Sequence, residues 1–271
     1  MATPSQPSVY TTDHSASVLR THSWRTAANS AGYLLPHLRS NMKILDVGCG
    51  PGSITIDLAR LVPQGHVTGV EYVLDPLEGA RALAAANGVT NVSFEIGDIH
   101  CLPFEDDAFD VVHAHQVLQH ISDPVKALQE MRRVTKVGGM VACRESASMT
   151  WYPQSDKLNT WYDLTTRMAV SKGGNPHPGS RIHVWAEKAG FARKDITKSA
   201  GSWCFSSDEE REYWGGSMAQ RSRSSGSATM ALEGGFSTRE QLDKVAQGWD
   251  EFREDKDAWF GLLHGEILCR K

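Results

Sequence analysis

Apolar residues recur along this chain with two different periods. Short apolar runs predict buried strands, one that ends at Val47 and four that cover residues 66–72, 91–96, 109–115 and 140–143. Segments with an apolar residue at every third or fourth position predict helices that begin near Ile54, at residue 74 and after Asp123. Because strand and helix segments alternate as far as residue 145, the pattern predicts an α/β domain.

The pattern is less regular on either side of this alternating part. Residues 1–12 have the composition of a flexible arm, and residues 15–38 have a helical period that Gly32 or Pro36 should interrupt. Beyond residue 145 the predicted elements are a helix over 181–189, a strand over 193–205, a helix over 206–214, a mobile loop over 221–227, a helix over 237–254 and a final strand over 259–269. The stretches 146–180 and 206–257 exceed simple connections, so we expect them to form a cap.

The first strand ends in a turn with three glycines, Gly48, Gly50 and Gly52, and a helical pattern follows. Glycine has no Cβ, so a ligand can approach its backbone closely and positive φ costs little. The N-terminus of the following helix presents free N–H groups and a partial positive charge. The turn therefore predicts a cradle of the nucleotide-binding type, although a strand-to-helix turn without a ligand could contain the same glycines.

The residues around the turn indicate which kind of nucleotide the turn could bind. Ser53 stands where a dinucleotide fingerprint has its last glycine, and no lysine follows the glycines as a phosphate loop requires. The spacing therefore favours a nucleoside without a pyrophosphate. Glu71 ends the second strand about twenty residues past the glycines, where its two oxygens can accept hydrogen bonds from both ribose hydroxyls. A surface carboxylate is the alternative interpretation of Glu71.

The segment 46–52, Asp-Val-Gly-Cys-Gly-Pro-Gly, resembles the first motif of class I S-adenosylmethionine-dependent methyltransferases. From residue 44 to 145 the chain is similar to the ubiquinone/menaquinone-biosynthesis C-methyltransferase family, whose fungal and bacterial members methylate many small molecules. The resemblance implies a Rossmann-like α/β fold, with a mostly parallel seven-stranded sheet, an antiparallel final strand and helical cap insertions. We expect one domain with an N-terminal helical segment over the cofactor (1–42), a cofactor-binding core (43–145) and cap or substrate insertions (146–180 and 206–257).

The resemblance also implies where S-adenosyl-L-methionine, and its product S-adenosyl-L-homocysteine, would bind. In similar enzymes a Gly-Asp pair after the third strand holds adenine: the carboxylate accepts from the exocyclic amine, and the next backbone N–H donates to the ring. Gly97, Asp98 and Ile99 match this pair and the residue after it. The expected cofactor contacts are Tyr10, Arg25, Asp46, Gly48, Cys49, Gly50, Glu71, Tyr72, Gly97, Asp98, Ile99, His115 (through its backbone) and Gln116. Alternatively, Tyr10 is a residue of the N-terminal tail that contacts nothing, and Arg25 is a solvated charge on a helix.

Methyl transfer from a sulfonium is an in-line displacement that leaves a neutral thioether, so it needs no metal and no proton for the leaving group. Alignment of the acceptor is the main requirement, and a base is needed only where the acceptor must lose a proton. His120 and Glu145 are the candidate catalytic residues, with local packing and an ion pair as their alternatives. The expected acceptor pocket is lined by Trp151, Tyr152 and Trp161, together with Trp203 and Trp214, although these aromatics could instead form the core of the cap.

The composition limits which kinds of binding partner are expected, but it does not indicate the reaction. The 271 residues carry a net charge of -4 and no long basic run, which argues against a nucleic-acid surface. No apolar segment reaches the length of a membrane span, and residues 1–10 lack the pattern of a secretion signal. Five cysteines without a CxxC pair indicate reduced thiols rather than a metal site. We expect a cytoplasmic protein, a monomer or homodimer, with a small-molecule acceptor.

The sequence therefore predicts an S-adenosylmethionine-dependent methyltransferase that acts on a small molecule. A nicotinamide oxidoreductase shares the strand–turn–helix unit but has no use for Asp98. A non-catalytic methyltransferase-like module would keep the cofactor residues and lack an acceptor pocket. An arsenite- or thiol-methylating enzyme belongs to the predicted class, but no cysteine cluster supports it. The identity of the acceptor and its reacting atom (carbon, oxygen, nitrogen or sulfur) stay open.

Overall fold

The computed structural model describes residues 24–271. One sheet contains seven strands: β1 Lys43–Val47, β2 His66–Glu71, β3 Val92–Ile96, β4 Phe109–His115, β5 Thr135–Tyr152, β6 Ile196–Phe205 and β7 Trp259–Arg270. Their order is β3-β2-β1-β4-β5-β7-β6. Strands β1 to β5 pair in parallel, and β7 lies antiparallel between β5 and β6. The predicted mostly parallel sheet with an antiparallel final strand is confirmed.

Helices connect and cover the strands. They are α1 Ala27–Ser30, α2 Ser53–Leu61, α3 Asp75–Ala86, α4 Pro124–Val134, α5 Asp156–Ser171, α6 Ile182–Lys188, α7 Asp208–Ser224, α8 Gly226–Glu233 and α9 Arg239–Glu254. Local signals determine where several of them begin. Asp123 accepts from the Lys126 N–H at the start of α4, and Ser207 and Glu210 form a capping box at the start of α7. In the described range, 24–271, none of the helices has the length and apolar character that a bilayer crossing requires.

The parallel half of the sheet is buried on both faces, which explains its continuous apolar runs. Successive side chains of a strand point to opposite faces. Leu45 of β1 and Val112 of β4 therefore belong to the apolar cluster that contains Leu128 of α4. Their neighbours Ile44 and Val111 belong to the cluster on the other face, which contains residues of α2.

The antiparallel half of the sheet carries an aromatic cluster. It joins residues of β5, β6 and β7 to residues of α5, α7 and α9: Trp151, Leu158, Trp203, Phe205, Trp214, Met218, Ala219, Val245, Trp249, Phe252, Ala258, Phe260 and Leu262. Phe205 of β6 stacks on Trp214 of α7 at a centroid distance of 4.4 Å. This packing fixes the three helices against the sheet beside the carboxyl end of β4.

Strand β5 is much longer than the predicted 140–143. It continues to Tyr152 because β7 pairs with it antiparallel from Met140 to Tyr152, which satisfies its backbone groups. Residues 146–152 therefore belong to the sheet and not to a cap. The local pattern missed this extension because its partner strand lies far away in the chain.

Two other predicted segments differ in the structure. Within residues 24–38, the expected long helix is limited to the four residues of α1 and a 3₁₀ turn, Leu35–His37. Residues 15–23 lie outside the described residues. The predicted loop over 221–227 is wrong: α7 extends to Ser224, and Ser225 caps α8 by accepting from the Ala228 N–H. Small polar residues are weak helix formers, and tertiary packing overrides that weakness here.

Candidate functional site

A cavity of about 380 Å³ lies at the carboxyl ends of the parallel strands. The strand order reverses between β1 and β4, and open α/β sheets bind ligands at such switch points. On the β1–β3 side we define the glycine lobe as Asp46, Val47, Gly48, Cys49, Gly50, Pro51, Ser53, Ile54, Val70, Glu71, Tyr72, Val73, Pro76, Gly97, Asp98, Ile99 and His100. On the β5–β7 side we define the aromatic lobe as Ser146, Met149, Trp161, Thr165, Thr166, Ala169, Pro176, His177, Trp203, Trp214, Met218, Arg221 and Leu262. Between the two lobes lie Arg25, His115, Gln116, Val117, Gln119, His120, Ile121 and Ser122.

The glycine turn keeps its backbone open toward the cavity. Gly48 and Gly50 have positive φ, 67° and 52°. A Cβ at Gly48 would lie 2.4 Å from Val117, whereas a Cβ at Gly50 would have no protein atom within 4 Å. Since Gly50 lines the cavity, the missing side chain leaves a cradle for a ligand. Burial raises the pKa of the Cys49 thiol well above its usual value, so that thiol stays neutral.

Asp46 holds the elements of the glycine lobe together through hydrogen bonds. It is 3% exposed, and its two oxygens accept from the Thr55 hydroxyl at 2.6 Å and the His113 Nδ1 at 2.7 Å. These bonds join β1 to α2 and to β4. Sequence reasoning missed Thr55 and His113, although His113 pairs in register with Asp46 in the neighbouring buried strand. A polar residue at the same position in two adjacent apolar runs is the signal that could have identified the pair.

The two acids predicted to bind a nucleoside both line the glycine lobe. Glu71 accepts from the Gly50 N–H at 3.1 Å and from the Tyr72 N–H at 2.8 Å, which ties the end of β2 to the glycine turn. Asp98 lies in the turn after β3, where its Oδ1 is 2.8 Å from the His100 Nδ1 and 2.9 Å from the His100 backbone nitrogen. The structure thus brings the glycines and both carboxylates to one end of the cavity.

Gln116 connects the two lobes through a chain of polar contacts. Arg25 donates to the Gln116 Oε1 at 2.7 Å, and the Gln116 Nε2 lies 3.0 Å from the His264 Nε2. Arg144 donates to the other ring nitrogen of His264 at 3.0 Å. Burial and the two arginines lower the pKa of His264 to about 2. His264 and Arg144 were not predicted, because they reach the site from β7 and β5. Tyr10, another predicted contact, lies outside the described residues.

His115 is a buried histidine at the end of β4 that lines the cavity. It is 5% exposed, and within residues 24–271 neither ring nitrogen has a hydrogen-bond partner. Its ring centroid lies 5.5 Å from that of Trp203 and 6.1 Å from that of His264. Burial, helped by the positive charges of Arg25 and Arg144, lowers the pKa of His115 well below its usual value. The ring is therefore neutral near pH 7.

The two predicted catalytic residues occupy different positions. Glu145 is fully buried and does not line the cavity; its carboxyl oxygens accept from the backbone N–H groups of Val117, Leu118 and Gln119 at 2.9, 2.7 and 3.3 Å. Burial raises the pKa of Glu145 to about 8. His120 lines the cavity, and its Nε2 lies 3.1 Å from the Gln119 side-chain nitrogen. Burial lowers the pKa of His120 to about 4, so it too is neutral near pH 7.

The aromatic residues predicted to form the acceptor pocket divide into two groups. Trp161 lines the cavity, as do Trp203 and Trp214. Trp151 does not, because it stacks on Phe260 inside the aromatic cluster, with ring centroids 6.1 Å apart. Tyr152, the last residue of β5, is 59% exposed and lies outside the cavity lining. The extension of β5 explains why these two neighbours leave the predicted pocket.

Known proteins resemble this chain in sequence and in fold. Residues 38–198 match a family model described as a methyltransferase domain. An uncharacterized methyltransferase of Schizosaccharomyces pombe, C1B3.06c, is 35% identical over 100% of this chain and 99% of its own length. Demethylmenaquinone methyltransferase of Staphylococcus aureus is 42% identical over 42% of this chain and 46% of its own length. Phosphoethanolamine N-methyltransferase 2 of Haemonchus contortus, solved with phosphomonomethylethanolamine and S-adenosylhomocysteine, has a TM-score of 0.54 at 18% identity, over 86% of this chain and 50% of its own.

Proposed function

Since this chain belongs to the class I S-adenosylmethionine-dependent methyltransferases, we propose that it transfers a methyl group from S-adenosyl-L-methionine to a small-molecule acceptor by in-line displacement. The observation that carries this proposal is the single cavity that joins the glycine lobe to the aromatic lobe. Such a cavity can hold a nucleoside at one end and an apolar acceptor at the other. The cofactor supplies an electrophilic methyl group on a positively charged sulfur.

The residues of the glycine lobe fit an adenosine without phosphate. In this proposal Glu71 accepts from the ribose hydroxyls, Asp98 accepts from the adenine amine, and the Ile99 N–H donates to the ring. The open position at Gly50 supports the fit, because a methyl group there would occupy the cradle. Asp46 acts indirectly, since both of its oxygens are bonded within the protein and fix the turn.

The junction of the lobes fits the amino-acid end of the cofactor. Arg25 lines the cavity and is held by the Gln116 side chain at 2.7 Å. A guanidinium binds a carboxylate well because its N–H groups match both oxygens. We therefore assign Arg25 to the methionine carboxylate, with Gln116 as the residue that orients it.

The aromatic lobe favours a neutral or anionic acceptor that carries oxygen. Among the cavity-lining residues of the described range, the acidic ones are Asp46, Glu71 and Asp98, all in the glycine lobe. A protonated amine in the aromatic lobe would thus find no carboxylate there. The indole N–H of Trp214 has no acceptor within residues 24–271, and a Trp N–H only donates. Because that N–H is buried, an oxygen atom on the acceptor would satisfy it only after the indole turns toward the cavity.

We assign to His115 the removal of a proton from the acceptor. His115 lines the cavity at the end of β4, its ring is neutral, and both ring nitrogens are buried without a hydrogen-bond partner in the described structure. As an acceptor hydroxyl oxygen bonds to the methyl carbon, the bond from that carbon to the sulfonium sulfur would break and its electron pair would stay on sulfur, while a ring nitrogen of His115 would take the hydroxyl proton. Glu145 accepts from three backbone N–H groups of the turn that follows β4 and so holds that turn in position. His120 lines the cavity beside that turn.

Calorimetry with S-adenosylhomocysteine and NADH tests the cofactor assignment. We expect saturable binding of S-adenosylhomocysteine and none of NADH. A folded sample that fails to bind S-adenosylhomocysteine at millimolar concentration, or that prefers NADH, would overturn the proposal. A second assay follows transfer of a labelled methyl group from S-adenosylmethionine to a panel of phenols, carboxylic acids and amines. We expect transfer to members of the first two groups, and exclusive transfer to amines would contradict the acceptor assignment.

Substitution of His115 tests its assignment against that of His120. His115→Phe keeps a ring of similar shape and should lower kcat by about 10²- to 10⁴-fold, the usual effect of losing a general base. His120→Phe, the matched variant, should lower kcat much less. Both variants should bind S-adenosylhomocysteine as the wild type does. Equal losses of kcat in the two variants would refute a distinct role for His115.

A further inference from the structure

A second cavity of about 150 Å³ lies next to the aromatic lobe, between helices α5, α7, α8 and α9. We call it the side chamber. Its own walls are Leu164, Met168, Ser222, Ser227, Ala228, Ala231, Leu242 and Val245. Four more residues line both cavities: Trp161, Thr165, Met218 and Arg221. The side chamber therefore shares a wall with the space that we assign to the methyl acceptor.

Most of the side chamber's lining is apolar. Leu164, Met168, Ala228, Ala231 and Leu242 are all buried and belong to one hydrophobic cluster. Two of the four polar residues in the wall are bonded within their own helices: the Ser222 hydroxyl donates to the Met218 carbonyl at 2.9 Å, and the Thr165 hydroxyl donates to the Trp161 carbonyl at 3.0 Å. The other two are Ser227 and Arg221, and Arg221 belongs to the shared wall. Apolar cavities of about 150 Å³ in other proteins stay dry and bind molecules such as benzene. The chamber thus has the character and the size for one ring or a short branched alkyl group.

Two residues of the shared wall differ in packing and in side-chain chemistry. Trp161 is fixed by its edge-to-face contact with Trp249, at a centroid distance of 4.9 Å. Met218 is unbranched, with several rotatable bonds and a soft sulfur, so it can change rotamer at low cost. Since Met218 lines both cavities, a change of its rotamer would alter the wall between them.

We propose that the side chamber receives an apolar substituent of the methyl acceptor, while the reacting group of that acceptor lies in the aromatic lobe beside His115. This inference rests on the proposed function and adds a substrate class to it: amphipathic molecules with a hydroxyl-bearing head and a compact apolar tail. The shared wall favours this occupant, because a molecule that extends from the aromatic lobe into the side chamber has one end in each space.

A series of 4-alkylphenols, from phenol to 4-hexylphenol, tests the proposal by calorimetry on the protein saturated with S-adenosylhomocysteine. In the wild type, affinity should rise by about fourfold for each methylene that enters the chamber, and then level off when the chamber is full. Ala231→Leu narrows the chamber and should remove this gain while leaving the affinity for phenol unchanged. Leu242→Ala enlarges it and should extend the gain to longer chains.

Ala85→Leu is the control, because Ala85 is exposed on α3, away from both cavities; its chain-length series should match that of the wild type. The proposal would be overturned if affinity rose with chain length in Ala231→Leu as it does in the wild type. It would also be overturned if affinity did not depend on chain length in the wild type. Binding of S-adenosylhomocysteine is measured first in each variant. Failure of that step in the wild type would refute the proposed function, whereas normal cofactor binding with a flat series would refute the side chamber alone.

Discussion

Replacement of Gly50 by alanine separates backbone strain from ligand contact in the glycine turn. Gly50 has φ 52°, and a Cβ there would meet no protein atom within 4 Å. Gly88, at the end of α3, has φ 65° and is equally open, but it does not line the cavity. The two substitutions therefore impose the same kind of strain on the backbone, and only one of them places a methyl group in the cradle.

The structure gives the expected size of each effect. A left-handed conformation costs an L-residue roughly 1–2 kcal/mol, so Gly50→Ala and Gly88→Ala should each lower the free energy of unfolding by about that amount. The added methyl group stands about 1.5 Å from Cα and would displace a bound nucleoside by a similar distance. A misplacement of about 1 Å can cost about 100-fold in rate, so we expect a loss of that order in kcat/KM for Gly50→Ala.

Urea unfolding and calorimetry with S-adenosylhomocysteine measure the two effects separately. Both variants should unfold at similarly reduced urea concentrations. Gly88→Ala should bind the ligand as the wild type does, and Gly50→Ala should bind it at least about tenfold more weakly, a difference of about 1.4 kcal/mol. If Gly50→Ala bound within twofold of Gly88→Ala, the turn would not contact the cofactor, and the assignment of the glycine lobe would be wrong.

Three further substitutions test other parts of the site. Asp98→Ala should weaken S-adenosylhomocysteine binding by about 1–3 kcal/mol in calorimetry, as for the loss of a buried hydrogen-bond partner, and unchanged affinity would exclude Asp98 from the adenine contact. Asp46→Ala leaves the buried Thr55 and His113 without their acceptor and should lower the free energy of unfolding by about 1–3 kcal/mol for each, measured with urea; a loss below that range would contradict its role in holding the glycine lobe together. Because burial raises the pKa of Glu145 to about 8, the stability from this group is full below about pH 4.5 and is lost as the pH rises through 8. The wild type should therefore lose stability relative to Glu145→Gln over that range, and parallel pH profiles would refute the shift.

Sequence reasoning was most accurate where a local signal determines the structure. Strand β4 was predicted at the bounds that the structure gives, 109–115, because an apolar run there is bounded by polar turns. The glycine turn and the acid at the end of β2 were also placed correctly, since each follows directly from the residues that form it. These elements bring most of the predicted cofactor contacts to one end of the cavity.

Features that depend on distant partners were not predictable in this way. The extension of β5 to Tyr152 exists because β7 pairs with it, and more than a hundred residues separate Met140 from its partner Arg270. His264 reaches the junction for the same reason. Glu145 was predicted as a catalytic candidate from its place at a strand end, but the structure shows it bonded to three N–H groups of the next turn. The sequence identified the residue, and only the fold could identify its partners.

A crystal structure of the protein with S-adenosylhomocysteine would test the central claim most directly. We predict the adenosine in the glycine lobe, with its ribose on Glu71, its adenine beside Asp98 and Ile99, and its sulfur directed toward His115 and the aromatic lobe. A ligand bound outside this cavity, or one whose sulfur points away from the aromatic lobe, would contradict the account.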